Sequence, residues 1–141
     1  MKHLFFMVSL VACLLGKPAL ASDGNVPDVL ILFYNTFQNA QNVSWSEVDD
    51  MLRIGFTLNG REQFAFYSKN ELVVVATEIK VEELPDVLQQ QLSIYKGYKV
   101  SRVYELNRNN VKEYCTVINN SRRRIALKGK NKWKLCFYAG N

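Results

Sequence analysis

The chain has 141 residues, of which 48% are hydrophobic and 22% are charged, with 18 Lys and Arg against 13 Asp and Glu. This length and composition suit one globular domain and exclude a disordered or collagen-like chain. A single histidine leaves little room for catalytic triads, most zinc sites and most general-base mechanisms, because these depend on imidazole.

Residues 1–21 have the pattern of a secretory signal peptide. A basic start precedes an apolar stretch over residues 4–16, and the small residues Ala19 and Ala21 stand before a polar segment. The stretch is too short for a membrane span, so we expect cleavage after Ala21 and a periplasmic or secreted protein. The alternative is a lipoprotein anchored at Cys13, because the residues before it also resemble a lipoprotein processing site.

The predicted mature chain, residues 22–141, contains no histidine. It keeps 16 basic and 13 acidic residues, a net charge of +3, and two cysteines, Cys115 and Cys136. Without imidazole, and with no visible nucleophile and base in a catalytic pattern, we expect no enzyme. Two cysteines without histidine also argue against a zinc site, and we expect no cofactor.

Two copies of one unit follow each other along the mature chain. Val26-Pro27-Asp28-Val29-Leu30 recurs 58 residues later as Leu84-Pro85-Asp86-Val87-Leu88. Apolar spacing near 3.6 follows each copy and predicts helices at about 27–39 and 84–96, each with a proline near its start.

After each helix the apolar period changes to two, which predicts about four antiparallel strands per copy. The named strands lie at 52–58, 64–66, 72–76, 100–106, 111–118, 125–127 and 133–138, with turns at Asn59-Gly60, 67–70, Asn109-Asn110, 119–120 and 128–132. One copy alone buries a sheet poorly. We therefore expect an α+β fold in which repeat one (about 26–80) and repeat two (about 81–141) form one continuous antiparallel sheet with both helices on one face.

The segment that ends the first helix resembles a family motif. Phe37-Gln38-Asn39-Ala40-Gln41-Asn42-Val43-Ser44-Trp45 is similar to Phe-Pro-x-Ala-x-x-Val-x-Trp of the PepSY-like family, also labelled β-lactamase-inhibitor-like and common in secreted proteins of Bacteroides-type bacteria. Residues 84–100 resemble its second helix and the next strand, and Gln38 departs from the motif's proline. The resemblance covers about residues 26–138. It implies a fold like β-lactamase inhibitory protein and supplies no catalytic residue and no general partner.

Strand alternation places Cys115 and Cys136 on the helix-free face of the predicted sheet. In a simple meander, the strand around residues 122–127 separates them by about 9.6 Å, twice the strand spacing. A disulfide needs Cα atoms within about 7 Å. The oxidising compartment would permit a disulfide, but the predicted separation favours two free thiols.

The two repeats differ in charge. Residues 22–80 carry 4 basic and 8 acidic residues, whereas residues 81–141 carry 12 and 5, with Arg122-Arg123-Arg124 among them. A basic strand face can bind a polyanion or an acidic protein. Lys and Arg on an edge hairpin also serve simply to prevent aggregation, and the alternation of the three arginines between faces favours that explanation.

Aromatic residues divide into core and surface candidates. Core packing on the helix-covered face is expected for Phe64, Phe66, Tyr104 and Tyr114. Core packing is also the default for Trp45 and Trp133, and the alternative for Tyr67, Tyr138 and Trp45 is an exposed anchor of the kind that dominates binding hot spots.

The candidate binding face comprises Tyr67, Arg122, Arg124, Lys134 and Tyr138. We expect a secreted or periplasmic, non-enzymatic protein that binds a protein partner in the envelope, with inhibition of an envelope hydrolase as one form of that binding. The alternative is a module that binds an envelope polyanion or a small ligand through the basic second repeat. Nucleic acid is not an expected partner because the chain is exported.

Overall fold

The structure is a computed structural model that describes residues 28–140, the last four of them as backbone alone. The predicted signal peptide at residues 1–21, and with it Cys13, lies outside the described residues. The same holds for Val26 and Pro27 of the first repeat motif.

Two α-helices, a short 3-10 helix and eight strands make up the described part of the chain. In chain order they are α1 (Val29–Thr36), β1 (Gln41–Val48), β2 (Met51–Leu58), β3 (Arg61–Ser68), β4 (Glu71–Ile79), the 3-10 helix (Val81–Glu83), α2 (Asp86–Leu92), β5 (Lys99–Arg108), β6 (Val111–Asn119), β7 (Arg123–Gly129) and β8 (Trp133–Gly140). The strands form a single antiparallel sheet whose spatial order follows the chain order. The predicted antiparallel sheet is therefore confirmed, while the repeat and the placement of both helices on one face stay predictions.

Both helices are shorter than predicted. Helix α1 ends at Thr36 because Phe37 leaves the helical region, with φ −117° and ψ 69°. Helix α2 begins only at Asp86, because Pro85 holds the preceding residue, Leu84, in an extended conformation with ψ 151°.

Two-residue turns of the type favoured in hairpins join several strands. At Asn59-Gly60, Lys69-Asn70 and Asn109-Asn110 both residues have positive φ, between 49° and 76°. Such turns match the right-handed twist of the strands, and Asn and Gly adopt them at low cost. The predicted turns at 59–60 and 109–110 are found, whereas the predicted turn at 67–70 is narrower because residues 67 and 68 belong to β3.

The described chain divides into two compact units. Residues 28–77 with the turn 107–110 form the first unit, and residues 78–106 with 111–140 form the second. In the first unit, α1 packs on β2 and β3. The buried cluster comprises Val29, Leu30, Phe33, Ile54, Phe56, Ala65 and Tyr67.

The second unit has its own core, built around α2. The buried cluster comprises Leu84, Leu88, Val103, Ile118, Ile125, Leu127 and Trp133. The Trp133 indole N–H donates to the Leu88 carbonyl at 2.9 Å, which ties the start of β8 to the helix. Tyr114 packs against this cluster as predicted, whereas Tyr104 follows core residue Val103 and so points to the other face of β5.

Phe64 and Phe66 are buried, as predicted for core residues. They lie on the sheet face away from α1, so their predicted placement on the helix-covered face is wrong. Phe64 pairs with Gly55 and Phe66 with Arg53, and these partners alternate along β2 with the core residue Ile54. The residues that alternate with them on β3, Ala65 and Tyr67, face α1. Both faces of β3 are apolar, so its pattern could not show which face the helix covers.

Candidate functional site

The end of the chain concentrates positive charge. After Glu113 the sequence carries seven Lys and Arg residues and no Asp or Glu. Six of the seven side chains are exposed and lie on or beside the β7–β8 hairpin. We refer to these six residues as the basic hairpin, and they are Arg122, Arg123, Arg124, Lys130, Lys132 and Lys134.

The three arginines follow a turn that the Asn120 side chain organises. Its Oδ1 accepts the backbone N–H of Arg122 at 2.9 Å and that of Arg123 at 2.8 Å. The Asn120 backbone N–H in turn donates to the Arg123 carbonyl at 3.0 Å. An asparagine that satisfies successive backbone donors in this way is a common local device for ordering a turn. The backbone that carries the arginines is therefore fixed before any partner binds.

The loop that carries the lysines is tied to helix α2. The Gln91 side chain donates to the Asn131 carbonyl at 3.0 Å and accepts the Trp133 backbone N–H at 3.0 Å. Gly129 permits the close approach at the base of this loop, because a Cβ there would collide with the Lys132 carbonyl oxygen. Like the arginines, the lysines are thus presented on a defined backbone.

The seventh cation, Lys128, is buried and forms an ion pair within the protein. Its ammonium group lies 2.8 Å from the Glu113 carboxylate. Lys128 also pairs with Lys134 across the β7–β8 ladder, so the two side chains share one sheet face. Arg124 lies four residues before Lys128 along β7 and belongs to that face as well. The structure therefore brings predicted site residues Arg124 and Lys134 onto one face.

Cys115 and Cys136 are both free thiols in the structure. The sheet order places β7 between their strands, and Cys115 pairs with Lys128 of that intervening strand. Burial raises the pKa of Cys115 to about 12, although the Lys128 ammonium group opposes the rise. Burial also raises the pKa of Cys136. A buried thiol of high pKa is a poor nucleophile, so Cys115 is not suited to catalysis.

Tyr67 is not the exposed anchor that the sequence predicted. Its side chain is only 4% exposed and packs in the core of the first unit beneath α1. Burial raises the pKa of Tyr67, and the nearby Thr36 side chain offsets part of that rise. Trp45 is half-buried against the same core. Tyr138 of β8 pairs with Ile125 of β7, and its side chain is outside the described part of the chain.

A cavity of about 340 Å³ lies in the first unit beside the β1–β2 and β3–β4 turns. Its lining mixes apolar and charged side chains, namely Val29, Glu47, Asp49, Asp50, Met51, Leu52, Tyr67, Lys69 and Asn70. Sequence reasoning did not find it, because its walls come from two separate hairpin turns and the start of a helix.

Neither a metal centre nor a membrane-spanning helix is present within the described range. No three His, Cys, Asp or Glu side chains there lie close enough to hold a metal ion. The helices described between residues 28 and 140 are all too short or too polar to cross a bilayer.

No family model and no curated protein matches the chain. Its fold is similar to that of solved proteins from Bacteroides. A DUF2874 family protein from Bacteroides uniformis has a TM-score of 0.70 at 14% identity, covering 83% of this chain and 90% of that chain. A Bacteroides eggerthii protein provisionally described as periplasmic has a TM-score of 0.71 at 15% identity, with coverage of 83% and 90%.

A BLIP-like protein from Bacteroides fragilis has a TM-score of 0.63 at 17% identity, covering 83% of this chain and 89% of that chain. At these identities the likeness establishes the fold alone. The chain therefore has a BLIP-like fold, as the family resemblance in the sequence implied.

Proposed function

We propose that this protein is a non-enzymatic binding protein of the bacterial cell envelope, whose basic hairpin binds an acidic surface of a partner protein. The observation that carries this proposal is the group of six exposed cations in a stretch of chain without a carboxylate. Positive potential concentrated in this way speeds encounter with an acidic surface and selects against basic ones.

The fixed backbone of the hairpin supports a protein partner. Asn120 orders the turn before β7, and Gln91 ties the loop before β8 to helix α2. A surface that is already ordered loses less conformational entropy on binding than a flexible one. Such preorganisation favours a partner with a complementary folded surface.

Location in the envelope is supported by two independent observations. Residues 1–21 have the features of a signal peptide. The similar structures include the Bacteroides eggerthii protein provisionally described as periplasmic. Within the second unit, Ile125 and Leu127 of β7 pack in the core with α2, so Arg124 and Lys134 lie on the sheet face away from that helix, and both are exposed.

The absence of catalysis is supported by the roles of the ionisable groups. The predicted mature chain has no histidine, and Cys115 is buried with a raised pKa. The chain has two pairs of adjacent acids that could serve as acid and base, Asp49-Asp50 and Glu82-Glu83. The first pair forms a hairpin turn, and in the second the Glu83 carboxylate accepts the Lys80 backbone N–H at 2.7 Å. The Glu83 carboxylate therefore has a structural role that accounts for its position.

Affinity capture tests the proposal. We expect the immobilised chain from Ser22 onward to retain one partner protein from its native envelope, and the double variant Arg122→Glu with Arg124→Glu to lose it. The matched control reverses Lys96 and Lys99, two exposed cations of the second unit outside the hairpin. Equal capture by all three proteins, or capture of no protein by the wild-type chain, would contradict the proposal.

The BLIP-like fold raises inhibition of an envelope hydrolase as one form of this binding. Excess purified protein should then lower the activity of at least one enzyme in a panel of β-lactamases and periplasmic proteases. If every enzyme kept full activity, inhibition of these enzymes would be excluded, and binding without inhibition would stand as the proposal.

The basic hairpin also supports a second candidate, an envelope polyanion bound through the same six cations. A flexible polyanion binds mainly through electrostatic attraction and needs little shape complementarity. Its binding therefore weakens steeply as salt rises, whereas a shape-matched protein interface changes less.

A further inference from the structure

The sheet ends in two strands of opposite charge. Strands β1 and β8 are its first and last strands. An edge strand presents unpaired backbone N–H and C=O groups along one side, and these can pair with another strand. The side chains near such an edge then decide which strands it accepts.

Strand β1 is acidic at its carboxyl end. The strand contains Glu47 and no Lys or Arg, and the turn Asp49-Asp50 follows it directly. Glu47 and Asp50 are exposed.

Strand β8 has the opposite character at its amino end. The strand contains Lys134 and no Asp or Glu, and Lys130 and Lys132 stand in the loop just before it. All three lysines are exposed. Leu135, the residue after Lys134, is 63% exposed and adds apolar surface to the same strand.

Antiparallel pairing would bring these two ends together. When two strands run in opposite directions, the carboxyl end of one lies against the amino end of the other. The carboxylates beside β1 of one copy then lie at the same end of the strand pair as the lysines beside β8 of a second copy. Both strands are eight residues long.

We propose that copies of this protein associate head to tail, with β1 of one copy extending the sheet at β8 of the next. Lysines on an edge strand prevent pairing with an edge of the same charge. Here the complementary carboxylates lie on the other edge of the same protein, so the two edges select each other. Such a contact is heterologous and therefore builds rings or open chains of copies.

Charge exchange between the edges tests the proposal by sedimentation. Variant A carries Glu47→Lys and Asp50→Lys, and variant B carries Lys132→Glu and Lys134→Glu. In about 20 mM salt, where exposed charges still attract over about 20 Å, we expect the mass of the wild-type chain to at least double with concentration. In about 0.5 M salt we expect the wild-type chain to have the mass of a monomer, because the charges are then screened. Variant A alone and variant B alone should be monomeric at both salt concentrations.

An equal mixture of A and B should regain the association, because each variant's altered edge now complements the other's unaltered edge. The control that reverses Lys96 and Lys99 should behave like the wild-type chain. Circular dichroism checks that A and B fold. If one of them does not fold, the neutral versions, Glu47→Gln with Asp50→Asn and Lys132→Gln with Lys134→Gln, carry the test instead, and each should be monomeric.

A wild-type chain that stays monomeric in low salt would overturn the proposal. So would variants that still associate alone, or folded charge-reversal variants whose mixture stays monomeric. The measurement uses no partner, so it can fail while the proposed function stands, even though Lys132 and Lys134 belong to the basic hairpin.

Discussion

At the scale of single residues, Cys115 shows how burial in a strand controls the chemistry of a thiol. Its side chain is 2% exposed, and burial raises its pKa from 9.0 to about 12. Above pH 9 the unfolded chain loses this proton while the folded chain keeps it. The free energy of unfolding therefore falls as pH rises, by up to about 1.4 kcal/mol per pH unit for this group, until the pH passes the folded pKa.

This linkage predicts the effect of Cys115→Ala. Between about pH 9.5 and 10.5, urea unfolding should show a shallower loss of stability in the variant than in the wild-type chain, by up to about 1.4 kcal/mol per pH unit. Cys136→Ala is the control and should change the slope less, because that thiol is only half-buried. Identical slopes for the wild-type chain and Cys115→Ala would show that Cys115 is not protected from ionisation by the fold.

Site residues differ in how well the sequence identified them. The exposure of Arg122, Arg124 and Lys134 was predictable because charged groups remain in water unless they are paired. Tyr67 was not predictable because β3 is apolar on both faces, so alternation does not say which face the helix covers. Only the packing of α1 decides that Tyr67 is core.

At the scale of elements, the β7–β8 loop depends on a contact that is distant in sequence. Gln91 on α2 holds both Asn131 and Trp133, about forty residues further along the chain. No local pattern in the sequence could reveal this contact. It links the core of the second unit to the lysines of the basic hairpin.

Gln91→Leu should loosen this loop. The variant loses two hydrogen bonds to backbone groups, so we expect a loss of about 1 to 3 kcal/mol in the free energy of unfolding. The backbone amide of Trp133 should also exchange faster with solvent. Gln90→Leu, an exposed neighbour on the same helix, is the control and should stay within about 0.5 kcal/mol of the wild-type chain. Unchanged stability and exchange in Gln91→Leu would contradict the role given to Gln91.

Most strands were predictable from their period, and one was not. The alternating segments from β2 to β8 were identified together with their Asn-rich turns, because turn chemistry and alternation agree there. The pattern does not reveal strand β1, since its polar start and a register shift between Gln41 and Ser44 interrupt the alternation. It predicts helices that are too long, because apolar spacing continues past the residues where the backbone leaves the helix.

At the scale of the whole molecule, the separation of charge matters more than the net charge. The predicted mature chain has a modest excess of three positive charges, yet every residue after Glu113 that carries charge is basic. One hairpin thus carries a local excess that the total conceals. The proposed binding function depends on this local excess, together with the fixed backbone that presents it.

The salt dependence of the captured partner's affinity tests the central claim most directly. For a shape-matched protein interface on the basic hairpin, the dissociation constant should rise by less than about tenfold between about 50 and 300 mM salt, because packing and hydrogen bonds remain when charge is screened. A rise of about a hundredfold or more would contradict the protein-interface account and show that the hairpin binds its ligand as a polyanion.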